Sequence, residues 1–413
     1  MSQAISEKIN PNRIPREPFG LKADASLNRI TLNPSSANPG ETLYVNIPKL
    51  AENVVIVPGS VSLLFDLGVT GHANNTLVNN VGRNLVSRLK VLFGGETLQD
   101  TQRYDLFQTY HSLFIPKEER EDLLKQGISS ENMRKLRTNA GDKSTSDAKE
   151  VALAAVHNTK YKIPLDHPIL NDHGVFYPKA LPHPLTFEIT LAPVSDIVVY
   201  SSTTPAPNYT ITNLELEYLC ISSEYLAREA AVSYQVGKGF FYENVILHKT
   251  FTISKPNDSV INEHINLPRK SMTGVLCLFT ENHTGGTRDS EKFVSPDIKS
   301  VHVNIDGMPN RLYSKGMIPA DLWESVKKRF GFTSSLNQKD FYADNKFALW
   351  IDLRTHPDNS IHGGGLVLNN TRDGVKLEIK RKVGGTGNIN CHMFVVADAL
   401  MEVMNSNLKA IMY

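Results

Sequence analysis

LVSRLKVLFGGETLQDTQRYDLFQTYHSLFI, residues 85–115, reads as a strand, a two-glycine turn, a second short strand and a helix. Leu85, Leu89, Val91 and Phe93 fall on one strand face, because side chains alternate across a sheet. Gly94-Gly95 can take the positive φ values that a tight hairpin turn needs. Tyr104, Phe107, His111 and Phe114 recur at spacings of three and four, which predicts one helical face. Pro116 stops that helix.

The same unit returns at 299–330, KSVHVNIDGMPNRLYSKGMIPADLWESVKKRF. Val301, Val303 and Ile305 alternate, and Asp306-Gly307 is a strong two-residue hairpin signal. Pro319 suits the first turn of a helix whose apolar stripe is Leu322, Val326 and Phe330.

Further repeats decide the fold. Gly95 and Gly307 are 212 residues apart. Asn46-Ile47-Pro48-Lys49 pairs with Asn266-Leu267-Pro268-Arg269 at an offset of 220, and Pro58-Gly59-Ser60-Val61 with Thr273-Gly274-Val275-Leu276 at 215. Leu185, Phe187 and Ile189 match Val375, Leu377 and Ile379 at 190, and Leu214-Glu215-Leu216 matches Ile389-Asn390-Cys391 at 175. Alternating strands are common, so each match alone is weak. Five landmarks in one order argue for a duplicated domain, the first copy carrying about 45 extra loop residues.

The 413 residues are 40% hydrophobic and 21% charged, enough for two or three domains with real cores and unlike a disordered chain. A net charge of +1 gives no whole-chain pull towards nucleic acid or acidic lipid. The three cysteines, Cys220, Cys277 and Cys391, read as reduced core thiols rather than a disulfide frame. The start MSQAISEKINPNR has no apolar signal region and no 18-residue apolar run occurs, so synthesis in the cytosol is expected.

Residues 1–25, polar and broken by Pro11, Pro15 and Pro18, are expected to form an N-terminal arm. A first domain at 26–222 should have strands near 28–32, 42–47 and 59–66, with 68–82 as loop. The charged interval 117–160 is expected to be surface loop, helical in part at 117–126. The prolines of 161–191 suit strand starts and sheet edges. A linker helix at 223–239 then joins a second domain at 240–413, whose final strand is followed by a helix-like stretch at 398–405. Many short strands, Pro/Gly-rich turns and one helix part-way through each copy predict an all-β fold. The expectation is two tandem eight-stranded antiparallel jelly rolls, each with short helices after a strand.

The run from Asn80 to Glu96, NVGRNLVSRLKVLFGGE, its helix, and the later IPLDHPILNDHGVFYPKALPHPLTFEITL resemble the double-jelly-roll major capsid proteins. These include hexon-like proteins of adenoviruses, of large nucleocytoplasmic DNA viruses and of Polinton/Maverick, adintovirus-like elements, the last being the nearest in flavour. Leu85 to Leu98 fill the place of that family's strand pair before a helix, and Leu181 to Leu191 that of its later strand. The resemblance covers most of 25–405 and implies a homotrimer of pseudo-hexagonal outline that tiles an icosahedral shell of a double-stranded DNA virus. It further implies neighbouring capsomers, penton and minor capsid proteins as partners, and a place in the virion capsid. Two rivals share the architecture: a two-jelly-roll enzyme acting on glycans, which needs paired carboxylates in a groove, and a host protein domesticated from a transposon capsid gene.

Candidate chemistry is sparse. His167, His173 and His183, with Asp166 and Asp172, cluster in sequence, but their spacing fits no compact zinc pattern. His356 and His362 flank Asp358 in the same loose way. Gly363-Gly364-Gly365 and Gly384-Gly385-Thr386-Gly387 lack the Lys-Ser/Thr of a phosphate loop and read as turns. Lys376, Lys380, Arg381 and Lys382 form a basic run: a solvated strand face, or a patch making non-specific contact with packaged genome or a neighbouring capsomer. No catalytic centre, cofactor or metal is expected.

Overall fold

A computed structural model describes the chain except residues 1–23, 72–74, 117–118, 121–122, 124–125, 128–159, 201–205, 283–287, 311–312, 332–335, 355–363 and 369–372. Its strands are β1 (Asp24–Thr31), β2 (Thr42–Asn46), β3 (Val54–Ile56), β4 (Ser62–Thr70), β5 (Thr76–Leu77), β6 (Val86–Phe93), β7 (Glu96–Gln102), β8 (Lys160–Pro164), β9 (Leu185–Leu191), β10 (Val198–Val199) and β11 (Asn208–Ser222). The second half adds β12 (Lys238–Ser254), β13 (Val260–Ile265), β14 (Met272–Glu281), β15 (Ile298–Ile305), β16 (Met308–Pro309), β17 (Ala348–Asp352), β18 (Val375–Arg381), β19 (Asn388–Met404) and β20 (Asn407–Met412). The long helices are α1 (Tyr104–Ser112), α2 (Glu224–Val236) and α3 (Pro319–Phe330).

The chain divides into two compact units, residues 1–100, 121–242 and 400–412, and residues 101–120, 243–399 and 413. In the first half the sheets run β1-β11-β4-β8 and β2-β9-β6-β7; in the second, β12-β19-β14-β17 and β13-β18-β15-β16. With the eight main strands of each copy numbered in chain order, both copies read 1-8-3-6 and 2-7-4-5. The pairings β1–β11, β11–β4, β4–β8, β2–β9, β9–β6, β19–β14, β14–β17, β13–β18, β18–β15 and β15–β16 are antiparallel. That double crossing of sequence is the jelly roll, and it occurs twice.

The first unit shows how alternation builds the roll. β9 buries Leu185, Phe187, Ile189 and Leu191 and turns Thr186, Glu188 and Thr190 outward. It lies between β2 and β6, so that Phe187 faces Val45 on one side and Val91 on the other. In the opposite sheet Leu63 and Leu216 are paired and buried. Helix α2 starts where the Ser223 hydroxyl accepts from the Leu226 amide at 3.4 Å, and buries Leu226, Ala227, Ala230 and Tyr234.

The second unit repeats the pattern. β18 buries Val375, Leu377 and Ile379, and β15 buries Val301 and Val303. β14 is buried along its whole run from Met272 to Phe279, because it is a central strand between β19 and β17, covered on both faces. Helix α3 begins at Pro319, with the Asp321 carboxylate accepting from the Ile318 amide at 3.0 Å. Helix α1 belongs to this unit's core: Tyr110 is fully buried, edge-on to Phe293 at 5.1 Å and to Phe330 at 5.5 Å, while Phe107 meets Phe394 at 5.8 Å.

The structure corrects four expectations. Residues 398–405 are not helical, since β19 runs to Met404 with Ala399, Met401 and Val403 buried alternately, and its residues 400–404 pair with β20. The face of α1 is shifted: Leu106, Phe107, Tyr110, Leu113 and Phe114 are buried, whereas His111 is exposed and Tyr104 only half-buried. The stretch 68–82 is not all loop, because β4 reaches Thr70 and β5 and a short helix at Val81–Asn84 follow. The first strand opens at Asp24 rather than near residue 28. Most of the loop expected at 117–160 lies outside the described residues.

Candidate functional site

The histidine-rich segment does not converge. His167 is buried, takes the Ile169 amide on Nδ1 at 3.3 Å and meets Gln99 through Nε2 at 3.2 Å. Burial, with a smaller push from His173, lowers its pKa to about 3, so it is a neutral cap on the one-turn helix Pro168–Asn171. His173 bonds the Phe241 carbonyl at 2.7 Å, and His183 lies edge-on to Phe93 at 6.2 Å. Asp166 accepts from Asn171 at 2.6 Å, and Asp172 is exposed. Among the described residues no group of three or more His, Cys, Asp or Glu side chains is placed to hold a metal. His356, Asp358, His362 and Gly363 lie outside those residues.

The glycine runs are turns where they are described. Gly384, Gly385 and Gly387 sit at positive φ between β18 and β19, and Gly365 precedes the bridge that joins Leu366 to Met272. Cys220, Cys277 and Cys391 are buried free thiols, and burial pushes the Cys220 thiol up to about 11.

The basic run is divided by strand alternation. Lys376 pairs with Asp373 at 3.4 Å and Lys380 with Glu378 at 2.9 Å on the outer face. Arg381 turns inward, 2% exposed, and donates to the carbonyls of Pro296 (2.9 Å), Lys255 (3.1 Å), Ser254 (3.2 Å) and Asp258. It therefore ties the β12–β13 turn to the loop before β15 and is no part of a surface patch.

The chemistry-bearing cluster of the second unit is one that spacing did not reveal. A cavity of about 660 Å³ opens beside the start of α1, between the end of β14, residues 288–292 and the start of β19. Beneath it Asp105, fully buried, receives Arg103 Nε at 3.1 Å, Arg103 Nη2 at 2.9 Å and Arg288 Nη2 at 3.0 Å. At the wall Glu281 is shared by Lys292 at 2.6 Å and Lys255 at 3.3 Å. The Lys292 hydrogen bond is the main force holding the Glu281 carboxyl below its usual range, and burial opposes it. His392 bridges the Thr250 hydroxyl at 3.1 Å and the Thr280 hydroxyl at 3.0 Å. Burial, then the positive charge of Arg103 with Arg288 behind it, brings His392 down to about 4 against the opposing pull of Asp105, so the imidazole is neutral at pH 7. Arg103, Arg288 and His392 are separated by more than a hundred residues at each step, which is why no motif announced them.

No family model matches the chain, and no curated protein matches it. Solved structures do. Faustovirus major capsid protein superposes with a TM-score of 0.64 at 8% identity, covering 94% of this chain and 92% of that one. PBCV-1 VP54 gives 0.62 at 12% identity, covering 96% and 99%. The fold is that of the double-jelly-roll major capsid proteins. Mavirus major capsid protein, at 0.51 and 9% identity over 94% and 88%, has the same double-roll fold. At such identities the likeness is one of fold, and it extends over nearly the whole length of both partners in each comparison.

Proposed function

We propose that this chain is a non-enzymatic major capsid protein of a double-stranded DNA virus or virus-like element. In this reading it is a homotrimer with a pseudo-hexagonal outline that tiles an icosahedral shell. The observation that carries it is the repeated 1-8-3-6 and 2-7-4-5 strand order of this chain, together with superposition over nearly its whole length on solved structures titled as viral capsid and major capsid protein. Two similar rolls per chain make three chains into six similar blocks, and closed symmetry then favours tiling. A place in the Polinton/Maverick, adintovirus-like group is part of the same proposal and rests on the overall sequence resemblance alone.

The partners in this reading are neighbouring capsomers, with penton and minor capsid proteins at the vertices and seams, and the site of action is the virion after synthesis in the host cytoplasm. Any non-specific genome contact through the basic run would fall to Lys376, Lys380 and Lys382, which are exposed, and not to Arg381, which is buried.

Mass photometry of the purified chain should give three times 45.9 kDa at nanomolar concentration, and electron microscopy of concentrated material should show hexagonal blocks or shells. A monomer that persists at high concentration contradicts the proposal.

A further inference from the structure

We propose that the cavity beside the start of α1 binds a small phosphate-class oxyanion: inorganic phosphate, or the terminal phosphates of a nucleotide. The inference rests on the second unit alone and not on capsid assembly. Two guanidinium groups meet at one carboxylate oxygen, Asp105 Oδ2, at 2.9 and 3.0 Å. Their terminal nitrogens are therefore no more than about 6 Å apart, a span that one tetrahedral oxyanion bridges with two charge-assisted hydrogen bonds of normal length.

The balance of charge favours an anion. Arg103, Arg288 and Lys292 line the cavity against Glu281 and Asp289. With Asp105 below and Lys255 behind Glu281, four cations face three carboxylates. The neutral groups of the wall, the hydroxyls of Thr280 and Ser290 and the amides of Asn282 and Asn390, suit phosphate oxygens rather than an apolar ligand.

Burial makes the arrangement a built site. Arg288 is 5% exposed and still lines the cavity, so its charge acts at reduced dielectric on whatever enters. Burial first, and then the charge of Arg103 against the opposing pull of Asp105, keep His392 neutral, so the imidazole adds no cation to the wall. A volume of about 660 Å³ lies within the range of small-ligand pockets and holds a nucleotide's phosphates with room to spare.

Calorimetric titration of the full chain with inorganic phosphate, and separately with a nucleoside triphosphate, tests this at fixed ionic strength set with chloride. One saturable site per chain is expected with at least one of the two, and which of them binds identifies the source of the phosphate. Lys292→Gln should weaken binding about tenfold, the loss of one charge-assisted hydrogen bond. Asp289→Asn should tighten it by removing a repelling carboxylate. Lys292 is 40% exposed, so its variant should keep the parent's melting temperature, and Lys409→Gln, in a surface pair with Glu402, serves as the control that leaves binding unchanged. Failure of both ligands to saturate overturns the proposal. So does equal affinity in the parent, Lys292→Gln and Asp289→Asn, or binding of a single-stranded oligonucleotide that neither small ligand displaces.

Discussion

Arg381 shows how position in a strand overrules residue type. In sequence it is one of four basic residues between 376 and 382, yet it shares the inward parity of Val375, Leu377 and Ile379. Among the described residues no carboxylate pairs with it; four main-chain carbonyls do, their dipoles gathered by the planar fork of the guanidinium. Arg381→Met keeps the apolar stem and leaves those carbonyls short of donors. It should destabilise the protein by about 2–4 kcal/mol, whereas Lys376→Met and Lys380→Met should each stay within about 0.5 kcal/mol. Denaturant melts of the three variants check this, and Arg381→Met melting with the parent would show that water serves those carbonyls equally well. Buried carboxylates follow a related rule. Asp105, Glu217 and Glu291 are each held by two cations, Arg103 and Arg288, Arg29 and Lys162, Arg120 and Lys346. Burial raises the Glu217 pKa, but the hydrogen bonds and charges of its two partners outweigh that and lower it overall.

The hairpins were the most legible elements. Gly94 and Gly95 sit at φ 60° and 91°, and Asp306 and Gly307 at 54° and 81°. Both pairs thus have the two positive φ values that a type I′ turn requires, at the same point of each copy. Once the turn is placed, the strand register follows, and with it the inner face. Val303 is 1% exposed while His302 and Asn304 are half-buried. Val303→Asp buries an unpaired charge among apolar neighbours and should cost several kcal/mol, about 3 or more. Val303→Ala should cost about half as much, and equal melting of parent and Val303→Asp would mean the face is misassigned. The misread elements fail for identifiable reasons. At 398–405 Ala, Leu, Met, Glu and Val suit a helix, but pairing with β20 decides, and the alternation of Ala399, Met401 and Val403 was the signal available. In α1 the spacing of Tyr104, Phe107, His111 and Phe114 predicts a shifted face, because Asp105 is drawn inward by its two arginines and Leu106 and Tyr110 carry the packing. The cavity was illegible because its parts come from α1, β14 and β19, which only the folded sheet brings together.

At the scale of the whole chain, duplication was readable because landmarks of a jelly roll keep their order even when their residues diverge. Asn46 and Asn266 end or follow the second strand of each copy, and Leu185 and Val375 open the seventh. What the duplication leaves over is the segment before β1, which has no counterpart ahead of β12 and lies outside the described residues. Its sequence carries Lys8, Arg13, Arg16 and Lys22 against Glu7 and Glu17, with three prolines and few apolar residues, too little to bury a core of its own. The eight-strand order of the first roll is complete from Asp24 onward, so the roll should not need that segment. On the proposed function, an arm that orders only against a neighbouring capsomer couples docking to shell closure, since the entropy of ordering is lost at contact. Deleting residues 2–23 should therefore leave the melting temperature and the three-chain mass unchanged and reduce particle yield severalfold. Thermal melting, mass photometry and particle counts by electron microscopy on the same preparation make the comparison. Normal particle yield would reduce the segment to a passive tail, and loss of the trimer would place it inside the subunit interface instead.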